Sequence, residues 1–226
     1  MRDLFEAYGI SLSERQEKTF RKYAELLLFY NSRFNLTAIT GEREIFVKHF
    51  LDSVLGQDCV KSGKVIDIGS GGGFPAIPLA VMREDVFVTM VEATGKKCGF
   101  LETAIEELGL KNAAVVNERA ETLARLPEYR EKFRSCTARA VARMNTLCEY
   151  ALPFVEPGGN FIAYKGSDDG EIEEASRAIS LLGGSLKEVK RYDLEGASRM
   201  IAVVNKIRRT PDCYPRGRGK ERKQPL

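Results

Sequence analysis

Asp67, the glycines that follow it and Glu92 are the residues whose types and spacing best support chemistry in this sequence. The stretch Val65-Ile66-Asp67-Ile68-Gly69-Ser70-Gly71-Gly72-Gly73-Phe74-Pro75-Ala76 reads as a strand entering a glycine-rich turn and then a helix. Glycine permits φ > 0 and lets a ligand approach the main chain closely. Pro75 is preorganised for a first helical turn, where its missing N–H costs nothing. The unpaired N–H groups of that helix end would face the ligand. Glycine clusters also occur in plain turns, but strand, turn and helix together point to a nucleotide-like cofactor. Gly71-x-Gly73-x-x-Ala76 satisfies the dinucleotide fingerprint, a weak motif on its own. Asp67 favours S-adenosylmethionine instead: it would repel a pyrophosphate and would suit an ammonium group and its waters. Asp67, Gly69, Gly71 and Gly73 give the Asp-x-Gly-x-Gly-x-Gly form of the turn used by methyltransferases. Glu92, closing the next strand, can accept both ribose hydroxyls, a role expected with either cofactor.

Other chemistries are excluded. With one histidine, His49, and five scattered cysteines without a C-x-x-C pair, the usual zinc sites are absent and no metal is expected. Methylation of exocyclic amines usually calls for an acid/Asn-Pro-Pro-aromatic motif, and that place reads Thr137-Ala138-Arg139-Ala140. Pyrimidine C5 methylation needs a nucleophilic cysteine, usually after proline, and no cysteine here follows one. Cys136 is expected to be a small apolar packer. His49 and Asp52, three apart on a helix, either shape a substrate pocket or anchor the helix, the anchor being favoured. Asn35 has a turn or cap role as its alternative. Lys165 either meets a phosphate or is solvated.

The elements that must position these residues follow from periodicity. The first sixty residues read as helical. Ser11-x-x-Glu14 and Ser13-x-x-Gln16 are both capping-box patterns. Phe20, Tyr23, Ala24 and Leu27 then form one apolar stripe, and a second helical stretch covers about Glu42 to Leu55. Strands are expected near Lys64–Ile68, Val86–Glu92, Ala113–Asn117, Ser135–Arg139, Asn160–Lys165, Ser185–Tyr192 and Met200–Lys206. Helical patterns separate all but the last two, with Gly109 as a C-terminal cap. This alternation implies an α/β fold with a parallel sheet covered on both faces. The last two strands follow directly, with Gly196 in the turn between them, so one runs antiparallel at the sheet's end. The expectation is a class I S-adenosylmethionine-dependent methyltransferase fold: a Rossmann-like seven-stranded sheet, last strand antiparallel, with an N-terminal helical extension. The expected divisions are 1–60, 61–207 and 208–226. A dehydrogenase would need a substrate domain for which 226 residues leave no room.

The chain is 43% apolar and 30% charged, ordinary values for a globular protein. It has no run of about 18 apolar residues and no signal-peptide core at its start, and its odd, scattered thiols suit a reducing compartment, so a cytoplasmic protein without a membrane partner is expected. Net charge is +3, yet residues 206–226 hold eight Lys/Arg against Asp212 and Glu221, a local +6 on a body of −3. Arg208, Arg209 and Arg216 in that segment are candidate contacts to RNA, and a solvated terminus is the alternative. Cofactor affinity is expected to be independent of this tail, because other strands build the glycine turn.

The sequence resembles the bacterial ribosomal RNA small subunit methyltransferase G family, also called glucose-inhibited division protein B. The resemblance rests on Asn35-Leu36-Thr37-Ala38-Ile39, His49-Phe50-Leu51-Asp52-Ser53, the Asp67–Pro78 turn, Arg119-Ala120-Glu121, Arg139-Ala140-Val141-Ala142, Lys165-Gly166, and Thr210-Pro211 with Tyr214-Pro215-Arg216. Ala76 departs from the glycine more usual after the proline. The resemblance implies methylation of N7 of a guanosine in 16S ribosomal RNA, with the small subunit or an assembly intermediate as partner and a monomeric enzyme. It implies cofactor contacts at Gly69, Phe74, Glu92-Ala93-Thr94, Ala120-Glu121 and Arg139, beside Asp67 and Gly71 of the turn. Arg139 could serve the RNA backbone as well, and Lys165 would meet an RNA phosphate. Guanine N7 carries a lone pair and no proton, so alignment suffices and no catalytic residue is named. The alternatives are a methyltransferase acting on another RNA or a small molecule, and a non-catalytic nucleic-acid-binding module.

Overall fold

The computed structural model describes residues 1–167 and 170–226. The chain opens with α1 (Arg2–Glu6) and α2 (Glu14–Asn31). Of the two candidate capping boxes, Ser13 and Gln16 form one: Gln16 N–H donates to Ser13 Oγ at 3.3 Å, and Ser13 N–H donates to Gln16 Oε1 at 2.9 Å. The expected stripe is buried at Phe20, Tyr23, Ala24 and Leu27. The second helical stretch comprises α3 (Glu42–Ile45), a π-helical segment Phe46–Leu51 and α4 (Asp52–Val54). Such wide turns re-aim side chains and recur at functional sites; His49 lies in this one.

Among the described residues, seven strands form one sheet. They are β1 (Gly63–Ile68), β2 (Val86–Glu92), β3 (Ala113–Asn117), β4 (Phe133–Arg139), β5 (Val155–Lys165), β6 (Gly184–Leu194) and β7 (Ala197–Lys206), in the order β3-β2-β1-β4-β5-β7-β6. The intervening helices are α5 (Ala76–Met82), α6 (Gly95–Leu108), α7 (Ala120–Leu123), α8 (Met144–Ala151), α9 (Glu171–Glu174) and α10 (Ser176–Leu181). Gly109 caps α6 at φ +63°. Val65 to Ile68 are all buried, the signature of a central parallel strand covered on both faces. Chain order reverses between β1 and β4, which pair in parallel. In open α/β sheets that switch point, outside the carboxyl ends of the strands, is where ligands bind.

The last strand runs antiparallel, as expected, one place in from the sheet's edge. β7 pairs antiparallel with both β5 and β6, and β6 becomes the edge. The reason lies in burial. Met200 to Val204 of β7 are all buried and need neighbours on both sides, whereas β6 exposes Ser185, Leu186, Lys187 and Arg191. Charged residues suit an edge strand, where they oppose pairing with another chain.

Beyond β7 the chain is anchored to the body at the buried Thr210, Pro215 and Glu221, and it ends in the single turn α11 (Lys220–Lys223). No helix among the described residues is long and apolar enough to cross a membrane.

Candidate active site

β1 delivers Asp67 to the base of the glycine turn, fully buried. Its Oδ1 accepts from Thr137 Oγ1 at 2.7 Å, and its Oδ2 has no partner among the described residues. Burial pushes its carboxyl up to about 7, against the hydroxyls of Ser70 and Thr137 and the charge of Arg139. The turn is tied to β2 by Gly69 and Ser70 N–H groups donating to Val91 O at 2.8 and 3.2 Å. Glu92 joins two loops: its Oε2 accepts from Gly71 N–H at 3.0 Å and its Oε1 from Thr94 N–H at 2.8 Å. Each oxygen keeps a lone pair for a further donor.

Gly73 has a packing task. At φ +92°, a Cβ there would lie 2.6 Å from both the Tyr23 hydroxyl and Ile77 Cδ1. The Tyr23 hydroxyl of α2 donates to Gly72 O, so the N-terminal helices seat directly on the turn. Pro75 occupies the N-cap position and the helix begins at Ala76, one residue later than expected.

A cavity of about 550 Å³ opens at the carboxyl ends of β1, β2 and β3. Gly69, Glu92, Ala93, Ala120 and Glu121 line it, five of the residues expected at the cofactor. Asp67, Gly71, Phe74, Thr94 and Arg139 do not line it. Asp67, Gly71 and Thr94 instead brace the turn and Glu92. The Phe74 ring stacks on His49 at 4.3 Å, with the Arg139 guanidinium 5.0 Å from its centroid. Arg119 and Glu121 form a loose 3.7 Å ion pair at the rim. Sequence reasoning missed Tyr150 of α8 and Gly217, Arg218, Gly219 and Arg222 of the C-terminal segment, which also line this cavity. No local pattern could have placed them there.

A second cavity, of about 300 Å³, is lined by Lys48, His49, Asp52, Arg139, Lys165 and Arg199 among others. Arg139 holds it together. Its Nη1 donates to Lys48 O at 2.9 Å and Asp52 Oδ2 at 3.0 Å, and its Nη2 lies 2.7 Å from His49 Nδ1. Arginine can only donate, so Nδ1 accepts, and the ring proton sits on Nε2, 2.7 Å from Thr37 Oγ1. The imidazole is therefore neutral. Burial, then the Arg139 charge, lowers its pKa to about 3. Asp52 also accepts from the Tyr192 hydroxyl at 2.9 Å and faces Arg199 at 3.8 Å. His49 and Asp52 thus both anchor and line a pocket, through Arg139 rather than through each other. Asn35 is exposed, and the capping task expected of it falls to Asn31, whose Oδ1 accepts from Leu36 and Thr37 N–H groups.

Several expected RNA contacts have internal partners. Lys165 Nζ donates to Ala142 O at 2.7 Å and pairs with Glu171 at 2.8 Å, with 9% of its side chain exposed. Arg216 donates through Nε and Nη2 to Glu149, which is fully buried. Arg209 pairs with Glu131 at 2.9 Å, and Arg208 donates to Ser180 O at 2.6 Å. Lys206 is fully buried, donating to Leu152 O and pairing with Glu131 at 3.3 Å. Burial lowers its pKa to about 8 although Glu131 opposes this. The exposed cations of the segment include Arg218, Lys220, Arg222 and Lys223. Cys136 and Cys148 are fully buried, and burial raises both thiols, so neither supplies a thiolate.

Comparison with known proteins adds the following. The model of the family described as rRNA small subunit methyltransferase G matches residues 16–201. A ribosomal RNA small subunit methyltransferase G of Desulfitobacterium hafniense is 43% identical over 221 residues, covering 96% of this chain and 92% of that protein. One of Clostridium perfringens is 40% identical over 232 residues, covering all of this chain and 97% of its own. Among solved structures, the O-methyltransferase from Bacillus cereus in complex with SAH superposes with a TM-score of 0.57 at 22% identity, over 82% of this chain and 91% of that one. That likeness speaks to the fold.

Proposed function

The chain belongs to the rRNA small subunit methyltransferase G family, and from that premise we propose that it transfers a methyl group from S-adenosylmethionine to N7 of a guanosine in 16S ribosomal RNA. One observation carries the reading. Two cavities flank the segment Arg139-Ala140-Val141, which lends Val141 to one and Arg139 and Ala140 to the other. The larger holds a carboxylate acceptor and the smaller holds cations with no uncommitted base among its described lining residues.

The larger cavity fits the cofactor. Glu92 is acceptor-only and has free lone pairs for ribose hydroxyls, with Gly69, Ala93, Ala120 and Glu121 around it. Asp67 braces the turn from beneath rather than lining the cavity. When bound, S-adenosylmethionine supplies an electrophilic methyl group.

The smaller cavity is assigned to the target nucleotide. Its two candidate bases are spent: both nitrogens of His49 are engaged, and Asp52 takes Arg139, Tyr192 and Arg199. An acceptor that must lose a proton would find none there. Guanine N7 has no proton to lose, so orientation and electrostatic surroundings are what the protein supplies. Lys48, Arg139 and Arg199 place positive charge where a nucleotide's phosphates would arrive. The substrate would be the small ribosomal subunit or its assembly intermediate, met in the cytoplasm by a monomeric enzyme.

The test is isothermal titration with S-adenosylhomocysteine, followed by methyl transfer to 16S RNA and mass spectrometry of the nucleosides. 7-Methylguanosine is expected. A methylated adenine or pyrimidine would overturn the reading.

A further inference from the structure

The segment after Pro215 reaches back to the larger cavity, and it is built to do so. Gly217, Arg218, Gly219 and Arg222 share that cavity with Glu92, Ala120 and Glu121. Three anchors hold the segment. Arg216 donates to the buried Glu149 of α8 at 2.7 and 3.0 Å. Arg125, itself a lining residue, donates to Pro215 O. Thr146 Oγ1 donates to Glu221 O at 2.8 Å. Glu221 is fully buried, with Oε1 accepting from Gly217 N–H and Oε2 without a partner among the described residues. A carboxylate buried in a terminal segment is costly to place, so the docking is specific.

The backbone is bent to the same end. Gly217, Arg218 and Gly219 have φ of +74°, +59° and +73°. Arginine rarely adopts the left-handed region, and a non-glycine residue held there is an outlier of the kind that clusters at ligand clamps. Arg218 is held in it at the lip of the cavity. Its guanidinium and that of Arg222 are planar groups with several donors, able to stack on a purine ring and to hydrogen-bond its nitrogens.

We infer that the C-terminal segment Gly217–Arg222 is the outer wall of the S-adenosylmethionine site and that Arg218 and Arg222 bind the adenosine half of the cofactor. This rests on the assignment of the larger cavity to the cofactor. The adenosine half is named because the segment faces Glu92, Ala120 and Glu121, at the ends of β2 and β3, and the second cavity lies on the far side of Val141. The tail is then part of the cofactor site, against the expectation that cofactor affinity would be independent of it.

The experiment titrates S-adenosylhomocysteine into three full-length proteins at fixed salt: wild type, Arg218→Ala/Arg222→Ala and Lys220→Ala/Lys223→Ala. Melting temperature without ligand is recorded for each. Both pairs remove two exposed charges from one segment, but Lys220 and Lys223 do not line the cavity. The arginine pair is expected to weaken binding about tenfold or more, as loss of charged hydrogen bonds does, while the lysine pair binds as wild type and all three melt alike. Wild-type affinity in the arginine pair overturns the inference alone. Equal weakening in both pairs also overturns it, assigning the effect to net charge. A wild-type protein with no affinity overturns the cofactor assignment itself.

Discussion

Asp67 and His49 carry opposite pH linkages in one protein. Asp67 keeps its proton up to about pH 7 in the folded chain against 3.8 ordinarily. Its contribution is full below 3.8 and is lost as pH rises towards 7. His49 stays neutral in the fold down to about pH 3 against 6.5 ordinarily. Its contribution is full above 6.5 and is lost as pH falls towards 3. Between about pH 4 and 6.5 the two slopes, each up to ~1.4 kcal/mol per pH unit, oppose each other. Asp67→Asn should therefore leave a ligand-free protein whose stability rises with pH across that window. His49→Gln should leave one whose stability falls. Urea unfolding at half-unit pH steps measures both, and parallel curves for the two variants would contradict the assignment. Glu92→Gln tests a different property. It keeps size and one acceptor but loses the charge that binds two loop N–H groups and would accept ribose hydroxyls. Affinity for S-adenosylhomocysteine should fall by about 1.5–3 kcal/mol in calorimetry.

At the scale of elements, the seat of α2 on the glycine turn governs whether the site exists in a defined shape. Tyr23 is fully buried, stacks on Phe50 at 4.9 Å and donates to Gly72 O. Tyr23→Phe should cost about 1 kcal/mol, the worth of one hydrogen bond. Gly73→Ala should cost more, about 1–3 kcal/mol, because the added carbon meets both Tyr23 and Ile77 at 2.6 Å. Combining the two should not restore stability, since Ile77 remains in the way. Chemical denaturation of the three variants decides this; full recovery in the double variant would show that Tyr23 alone sets the constraint.

For the whole molecule, the basic C-terminal segment is first a strap and only then a surface. Arg216→Ala strands the Glu149 carboxylate in the core, and removing one partner of a buried pair costs about 3–5 kcal/mol. Glu149→Gln in that background should recover part of the loss. Arg208, Arg209, Lys220 and Lys223 are exposed and do not line the larger cavity, and they are our candidates for RNA contacts in this segment. Deleting residues 217–226, which removes Lys220 and Lys223, should reduce the salt dependence of RNA binding by about 1.4 units, at ~0.7 per phosphate contact on single strands. An unchanged slope would move the RNA footprint to the cations around the second cavity.

What the sequence determined by itself was local in origin. The strand–turn–helix around Gly69 to Pro75, the capping box at Ser13, the stripe from Phe20 to Leu27 and the hairpin turn at Gly196 are each written in residues close along the chain. Periodicity and turn chemistry act over a few residues, so these elements and the alternation that makes an α/β sheet were legible. The place of β7 between β5 and β6 was decided by tertiary burial, because hairpin partners in sequence do not say which of them needs two neighbours. The commitments of the charged residues were decided there too. Lys165, Lys206 and Arg216 read as surface cations in sequence, yet their partners Glu171, Glu131 and Glu149 make them internal. Pairing of the last two reaches across 67 residues or more, and no local pattern encodes it. The same holds for the cavity wall, where Arg222 and Glu92 line one cavity although they lie far apart along the chain.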